Sequence, residues 1–557
     1  MVVKKHFIFV IAFCLAIALL VFATLVYGAA KEVNLTWSAS PTPEVTGYNV
    51  YYDCTATETP FDGTGALPPP VDAGNLTALT IDGIPAERAC WFAATAYTAE
   101  SESPRSNLIY SPAVIVPVIP EPPVNLEINA APPVVEPPVV EPPAISKGLI
   151  QEKDLVYQGA FRVPRGNLGG DSSYAQSLAR GGAGLTYNSV NNSLIMISRS
   201  RGAKAEKLVV ELNIPVPKKT EAISELNTAT LLQAPGNVAN NQWSNLKLND
   251  EAVGNGGRPG GLLVYNNKLI GSSYAYYDGP SEAARSHFAA SLKWATEGSQ
   301  FSGMYRVGVS PLGPDKANGG FVGGYMTHIP KEWQAKLGYP ALTGKGAIAV
   351  ITRSSLGPSA WGFDPDNLGK VDPVPATFLV GYPANHPTLG SYGDKPSLLY
   401  NRVTELNGLV FPENSSSLLF FGRHGLGLTG EGDSCYGTGT GKKDLAGNPD
   451  GQGNKYCYDP ADGSKGVHGY PYIAQVWAYD ANDLVEVKNG KQEPWNVIPY
   501  ARWQLPLPYE TDMNTIEGVA YDPATQRVFV AQSDSDRVSN PYEPYPIIHV
   551  FKLNLAK

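Results

Sequence analysis

GLVFPENSSSLLFFGR, residues 408–423, has two counterparts in the same chain: GLTYNSVNNSLIMISR at 184–199 and GVAYDPATQRVFVAQS at 518–533. Each copy opens on glycine, places an aromatic three residues on (Phe411, Tyr187, Tyr521), turns through polar residues and then runs apolar residues together. That order spells a strand, a tight turn and a buried strand. GLLVYNNKLIGSSYA from Gly261 keeps the same grammar with a shorter turn, and AIAVITRSS from Ala347 keeps only the buried strand. A second pattern, WGFDPDNL from Trp361 and WAYDANDL from Trp477, joins an aromatic strand end to Asp and a closing Leu. Asp364 and Asp480 there suit an Asx-type turn, in which the side chain caps the backbone.

The Gly-to-Gly intervals are 224 and 110 residues, and the Trp-to-Trp interval is 116. All three are close to multiples of a unit of about 55 residues, and a sheet-sized repeat of that length marks a propeller blade. The fold class is therefore all-β, with a β-propeller over residues 148–557 in which seven blades are favoured and six with long insertions compete. LVYQGAF from Leu155 and IIHVFKL from Ile547 are expected to share one sheet and so close the ring. Hairpins that look alike only because all β proteins share hairpin grammar are the alternative.

Composition agrees with short strands. Gly (57), Pro (48) and Tyr (30) are abundant among 557 residues and only 17% are charged. A net charge of −9 leaves no basic stripe, which sets nucleic-acid binding aside. Lys4 and Lys5, the apolar run from Phe7 to Val26 and the small residues Gly28, Ala29 and Ala30 read as an export signal over residues 1–30. An apolar run of about 20 residues also spans a bilayer, so an uncleaved anchor is the alternative and the one membrane contact expected. A secreted or cell-surface chain favours disulfides, and the local pairings are Cys54 with Cys90 and Cys435 with Cys457.

VNLTWSASPTPEVTGYNVYY at 33–52 and CWFAATAYTAESESPRSN at 90–107 carry the alternation of half-buried sandwich strands. Together they resemble a fibronectin type III domain. Trp37 stands where that family's core Trp lies, GYNVYY looks like its central strand, and AYTAESESPRSN looks like its final hairpin. The resemblance covers about residues 32–112 and implies a sandwich domain over 31–112 that spaces or adheres, with the family's first strand short or missing and one edge open. Residues 113–147, which include PPVVEPPVVEPPA, form a semi-rigid linker of polyproline II character at roughly 3.1 Å per residue.

Superimposing the repeats puts Arg199, Arg353 and Arg423 at one position just past the buried strand. Equivalent positions around an axis converge on one face, where guanidinium groups suit carboxylate or sulfate groups. With Tyr472 they make the expected ligand-binding set; arginines that staple neighbouring units through acidic partners are the alternative. His424 in GRHG and His468 in GVHGYPY stand among glycines that let a ligand approach the backbone. With Tyr470, Tyr472 and Arg423 they offer a base, a proton donor and a charge neutraliser, the set that eliminative cleavage of a uronate polymer requires. The expected catalytic residues are His424, His468, Tyr470 and Arg423. In DLAGNPDGQGNK at 444–455, Asn448, Asp450, Gln452 and Asn454 alternate as oxygen donors in the manner of a calcium loop, against the plainer reading of a Gly-rich loop closed by Cys435 and Cys457. Zinc spacing, GxSxG and phosphate loops are absent from the sequence. Tyr274, Tyr276, Tyr277 and Trp243 are candidates either to stack on sugar rings or to pack between sheets. The expected activity is recognition of an extracellular polymer, an anionic polysaccharide, with a polysaccharide lyase or other carbohydrate-active enzyme and a scaffold for surface proteins as the alternatives.

Overall fold

The computed structural model describes residues 30–42, 44–53, 70–85, 90–103, 109–111, 148–169, 176–198, 207–254, 256–313, 318–346, 354–393, 395–509, 511–538 and 542–555. Residues 1–29 of the export segment, the proline-rich linker, Cys54, Arg199 and Arg353 lie outside them, while Ala30 opens the first strand. The chain divides into two compact units, Met1–Val139 and Val140–Lys557.

In the first unit the strands are β1 (Ala30–Thr36), β2 (Gly47–Asp53), β3 (Val71–Gly74), β4 (Ala78–Pro85), β5 (Cys90–Tyr97) and β6 (Ile109–Ser111). β1 pairs with β4, and β3, β2, β5 and β6 form a second sheet in that order. Leu35, Val50, Ile81, Ile84 and Phe92 meet in one core, to which each sheet contributes. Trp37 stands edge-on to Tyr48 at 5.7 Å between ring centroids. Among the described residues β1 has β4 as its single strand partner. Cys90 is buried and disulfide-bonded, while its expected partner Cys54 lies outside the described residues.

The large sheets of the second unit are antiparallel, and its first strand, β7 (Leu155–Arg162), belongs to the last of them. The first sheet is β8 (Thr186–Asn188), β9 (Ser193–Ile197), β10 (Val209–Asn213) and β11 (Leu231–Gly236). The second is β12 (Gly257–Tyr265), β13 (Lys268–Ala275), β14 (His287–Ser291) and β15 (Ser302–Tyr305). The third is β16 (Tyr325–His328), β17 (Ala341–Gly344), β18 (Ala360–Phe363) and β19 (Ala376–Val380). A small sheet of β20 (Asn385–His386), β21 (Gly390–Ser391) and β22 (Tyr400–Asn401) follows. The fourth large sheet is β23 (Glu405–Val410) and β24 (Ser417–Gly425), then β28 (Tyr472–Asp480) and β29 (Ala501–Gln504), interrupted by an insertion of β25 (Cys435–Thr440), β26 (Lys455–Tyr458) and β27 (Lys465–His468). The fifth is β30 (Ile516–Asp522), β31 (Arg527–Asp536) and β32 (Tyr545–Leu553), completed by β7.

The first strands of the five sheets touch in closed succession: β8 with β12, β12 with β16, β16 with β23, β23 with β30, and β30 with β8. Thr186, Leu263, Met326, Leu409 and Val519, one from each of these strands, line a common cavity of about 400 Å³ at one end of the ring. Glycine opens these strands because neighbours pass at backbone distance. A Cβ at Gly260 would meet the Gly323 carbonyl oxygen at 1.7 Å, one at Gly184 the Gly260 oxygen at 2.6 Å, and one at Gly518 the Gly182 oxygen at 2.6 Å. The ring closes as LVYQGAF and IIHVFKL suggested, with Ile547 opposite Arg162 and Leu553 opposite Leu155. A buried bidentate pair, Arg162 Nε and Nη2 to Asp536 at 2.7 and 2.9 Å, fastens β7 to the end of β31.

Among the described residues, five four-stranded sheets stand where seven or six units were expected. The inner strands begin at residues 186, 257, 325, 405 and 516, so the spacing is uneven. The interval between Gly408 and Gly518 holds one sheet swollen by β25–β27 and by the helix Ala481–Lys488, not two units. Trp361 and Trp477 likewise sit on the third strands of adjacent sheets, β18 and β28. Their turns form as read: Asp364 and Asp480 each accept a backbone N–H two residues on, at 2.9 Å.

Candidate functional site

Register shifts occur near the start of three inner strands, at Pro259/Leu262 in β12, Leu406/Gly408 in β23 and Ile516/Gly518 in β30. A bulge places an extra residue and re-aims its side chain. In β23 that residue is Asn407, whose amide donates to the Ile516 carbonyl of the next inner strand at 3.0 Å and to Glu405 at 3.2 Å. In β30 it is Glu517, which is buried and whose Cβ stands against Gly182, four residues ahead of β8. Second strands run back to this same end, so that Glu405 faces Arg423 and Arg258 faces Tyr274.

Cations at this mouth lie over tyrosine rings. Arg258 Cζ is 3.9 Å from the centroid of Tyr276, Arg423 Cζ is 4.7 Å from that of Tyr472, and Lys345 Nζ is 5.1 Å from that of Tyr274. Arg423 also pairs with Glu405 at 3.2 Å and reaches Thr515 Oγ1 at 3.4 Å. Lys345 is 1% exposed; burial pushes its amine down to about 8, against the opposing charge of Asp278. Asp278 accepts the amides of Glu282 and Ala283 at 2.8 and 2.9 Å, which fixes the turn above Tyr276. Burial raises the Tyr276 phenol, Glu405 adds to the rise, and Arg258 and Arg423 oppose it. Charges of the fourth sheet thus act on a tyrosine that follows β13 of the second.

The insertion rises beside this mouth. β25 pairs antiparallel with β27 and parallel with β26, and the Cys435–Cys457 disulfide joins β25 to β26 with Cα atoms 5.8 Å apart, as expected. Tyr472 donates its hydroxyl to Asp459 Oδ2 at 2.7 Å, and the same oxygen lies 2.9 Å from His468 Nδ1. His468 Nε2 is 3.1 Å from the Ser464 carbonyl. Burial opposes a charge on His468, but the hydrogen bond and charge of Asp459, followed by Asp462 and the Ser464 carbonyl, outweigh it and raise the ring above its ordinary value. Only the imidazolium donates from both nitrogens, and both face acceptors. The raised value favours that form, and both nitrogens of His468 are engaged, by Asp459 and by the Ser464 carbonyl.

Of the expected catalytic residues, Arg423, His468 and Tyr470 gather around Tyr472; Tyr470 stands edge-on to it at 6.1 Å. His424 does not join them. Consecutive residues of a strand point to opposite faces, and His424 turns into the core, with Nδ1 2.9 Å from Thr404 Oγ1 and its ring 6.4 Å from that of Trp477. Burial holds it down to about 4. Of the expected ligand-binding set, Arg423 and Tyr472 stack on one another, and Arg199 and Arg353 lie outside the described residues. Asp450 spends one oxygen on the amides of Gln452 and Asn454 and the other on Thr438, while the Asn448 and Asn454 side chains donate to backbone carbonyls. Among the described residues, no group of three or more His, Cys, Asp or Glu is placed to hold a metal ion, and no helix is long and apolar enough to cross a membrane. Trp243 is buried against Phe288, whereas Tyr274 and Tyr276 belong to the mouth.

Reading the sequence missed Arg258, Lys345, Glu405, Glu517 and Asp459. Asn407 and Glu517 did carry a signal: each is the polar residue immediately before a template glycine. No protein-family model matches the chain, and no curated protein does. Among solved structures, a "putative hydrolase" from Bacteroides ovatus aligns with a TM-score of 0.28 at 10% identity, over 68% of this chain and 87% of that one. At that score the likeness bears on neither fold nor chemistry.

Proposed function

We propose that the second unit is a five-bladed propeller whose mouth binds a saccharide chain bearing carboxylate or sulfate groups, on an exported protein. The observation that carries this reading is the trio of cation and tyrosine pairs, Arg258/Tyr276, Lys345/Tyr274 and Arg423/Tyr472, gathered at one end of the ring. Arg258 and Tyr276 are half-buried and open to an incoming anion and a sugar face, while Tyr274, Tyr472, Lys345 and Arg423 are buried behind them, the two cations adding positive charge beneath the mouth. Arginine adds two-pronged recognition of carboxylate and sulfate. Elimination lacks support in the same geometry, because His424 lies in the core and both nitrogens of His468 are engaged within the insertion, by Asp459 and the Ser464 carbonyl. Recognition without cleavage fits best.

Calorimetric titration of the full chain with polygalacturonate, a sulfated glycan and a neutral glucan tests this. The expected result is binding of the two anionic polymers, weakened by salt, and a loss of about tenfold in affinity for Arg258→Ala. Equal affinity for the neutral glucan, or the appearance of unsaturated or newly reducing ends during incubation, overturns it.

A further inference from the structure

We infer that the ligand is held as an extended stretch of several sugar residues, running from the insertion across the mouth to the turn at 276–284, and not as a single residue or chain end. This deepens the function proposed above and rests on it. Two cavities flank the mouth. One, of about 250 Å³, lies against the insertion and is lined by Lys455, Tyr458 and Tyr470. The other, of about 300 Å³, lies beside the turn and is lined by Lys247, Tyr277, Asp278 and Glu282, with Lys247 paired to Glu282 at 2.7 Å.

Each cavity begins one ring away from a cation and tyrosine pair of the mouth. Tyr458 stands edge-on to Tyr470 at 5.6 Å, and Tyr470 to Tyr472, the ring under Arg423, at 6.1 Å. On the other side Tyr277 stands edge-on to Tyr276, the ring under Arg258, at 5.1 Å. The insertion also repeats the mouth's own device, since Lys443 Nζ lies 5.8 Å from the centroid of Tyr458. Tyrosine thus continues on both sides of the axis, with a cation at the mouth pairs and again at the outer end in the insertion. Tyr458, Tyr470, Tyr276 and Tyr277 are half-buried and can meet sugar residues on either side of the mouth, while Tyr472 is buried. Both walls are set before binding, one by the disulfide and the Asp459 network and the other by the Asp278 turn, which lowers the ordering cost of seating a long ligand.

The test is calorimetry of the full chain with galacturonate oligomers from the disaccharide to the octasaccharide. Affinity is expected to climb with length and then level off. Tyr458→Ala and Tyr277→Ala should each weaken the octasaccharide by about five- to tenfold and leave the disaccharide unchanged. Lys443→Ala, at an exposed position that leaves the ring in place, should weaken the octasaccharide in a salt-dependent way and guards against a misfolded tyrosine variant. A disaccharide that binds as tightly as the octasaccharide overturns this inference and leaves the proposed function standing. Binding at no length overturns this inference, and the proposed function falls with it only if the sulfated glycan fails to bind as well.

Discussion

Replacing Gly260 with alanine tests the ring on which every site in the second unit depends. An added Cβ there lies 1.7 Å from the Gly323 carbonyl oxygen, 2.8 Å from its carbon and 3.2 Å from Gly324 Cα, all backbone atoms of the neighbouring inner-strand segment. Gly260 has no left-handed φ, so crowding is the whole effect. Overpacking costs about 1–3 kcal/mol where side chains can yield. A carbonyl fixed in a sheet cannot turn aside, which sets Gly260→Ala at about 3 kcal/mol or more. For a unit of this size that lowers Tm by roughly 3–6 °C. Gly408→Ala meets a side chain, Val519 Cγ2 at 2.2 Å, and should cost about 1–3 kcal/mol. Gly466→Ala has nothing within 4 Å and should stay within about 0.5 kcal/mol of the parent. Scanning calorimetry with guanidinium unfolding reads all three. If Gly260→Ala melts with the parent protein, adjacent inner strands do not pass at backbone distance and the closed succession of five sheets is wrong.

Buried histidines set the acid limb of stability. Burial holds His287 and His549 down to about 3 and His424 to about 4. A base whose folded value is depressed leaves the extra proton to the unfolded chain, so its contribution is complete above the ordinary value of 6.5 and is lost as pH falls below it. Each loses about 2 kcal/mol by pH 5, or about 6 kcal/mol together, which denaturant unfolding at pH 7.5 and pH 5 measures; equal stabilities at the two values would refute it. His468 runs the other way, contributing fully below 6.5 and fading as pH rises through its raised value, and its NMR titration midpoint should lie above 6.5. Arg162→Ala leaves Asp536 charged and buried, so it should cost about 3–5 kcal/mol and speed amide exchange in β7; unchanged exchange in β7 would show that this pair does not fasten the closing strand.

How much of this was legible follows from what each signal encodes. The glycine template was visible because a steric requirement, close approach of inner strands, recurs at Gly184, Gly408 and Gly518. The hairpin grammar and the Asx turns at Asp364 and Asp480 are local and survived intact. The unit count failed because interval length was treated as sheet length, and the insertion of β25–β27 is invisible to a periodic reading. His424 was misplaced for a similar reason. Its glycine neighbours suggested access, but its face of β24 is fixed by strand alternation relative to Arg423, a tertiary fact. Arg258 and Lys345 meet tyrosines brought by strands and turns elsewhere in the chain, and no spacing in the sequence announces such a meeting.

The two kinds of position in this ring answer to different constraints, and that separation explains how a site grows on it. The inner-strand glycines are fixed by backbone crowding, so their surroundings cannot change in one sheet without displacing the next. The connections between second and third strands carry no such load. In the fourth sheet that connection expands into residues 425–471, and its return strand begins at Tyr472, the residue that lies beneath Arg423 and donates to Asp459. The expansion therefore stays coupled to the mouth at the point where it leaves and re-enters the sheet. Arg423 is the hinge of that coupling: Glu405 takes one edge of its guanidinium, which anchors it to the inner strand, and Tyr472 takes its face, which anchors the insertion to it. Arg423→Lys keeps the charge but loses the planar face and the second donor edge. It should loosen β25–β27 in hydrogen exchange while β8, β12 and β16 stay protected, and equal loosening of all five inner strands would show that the residue serves the ring alone.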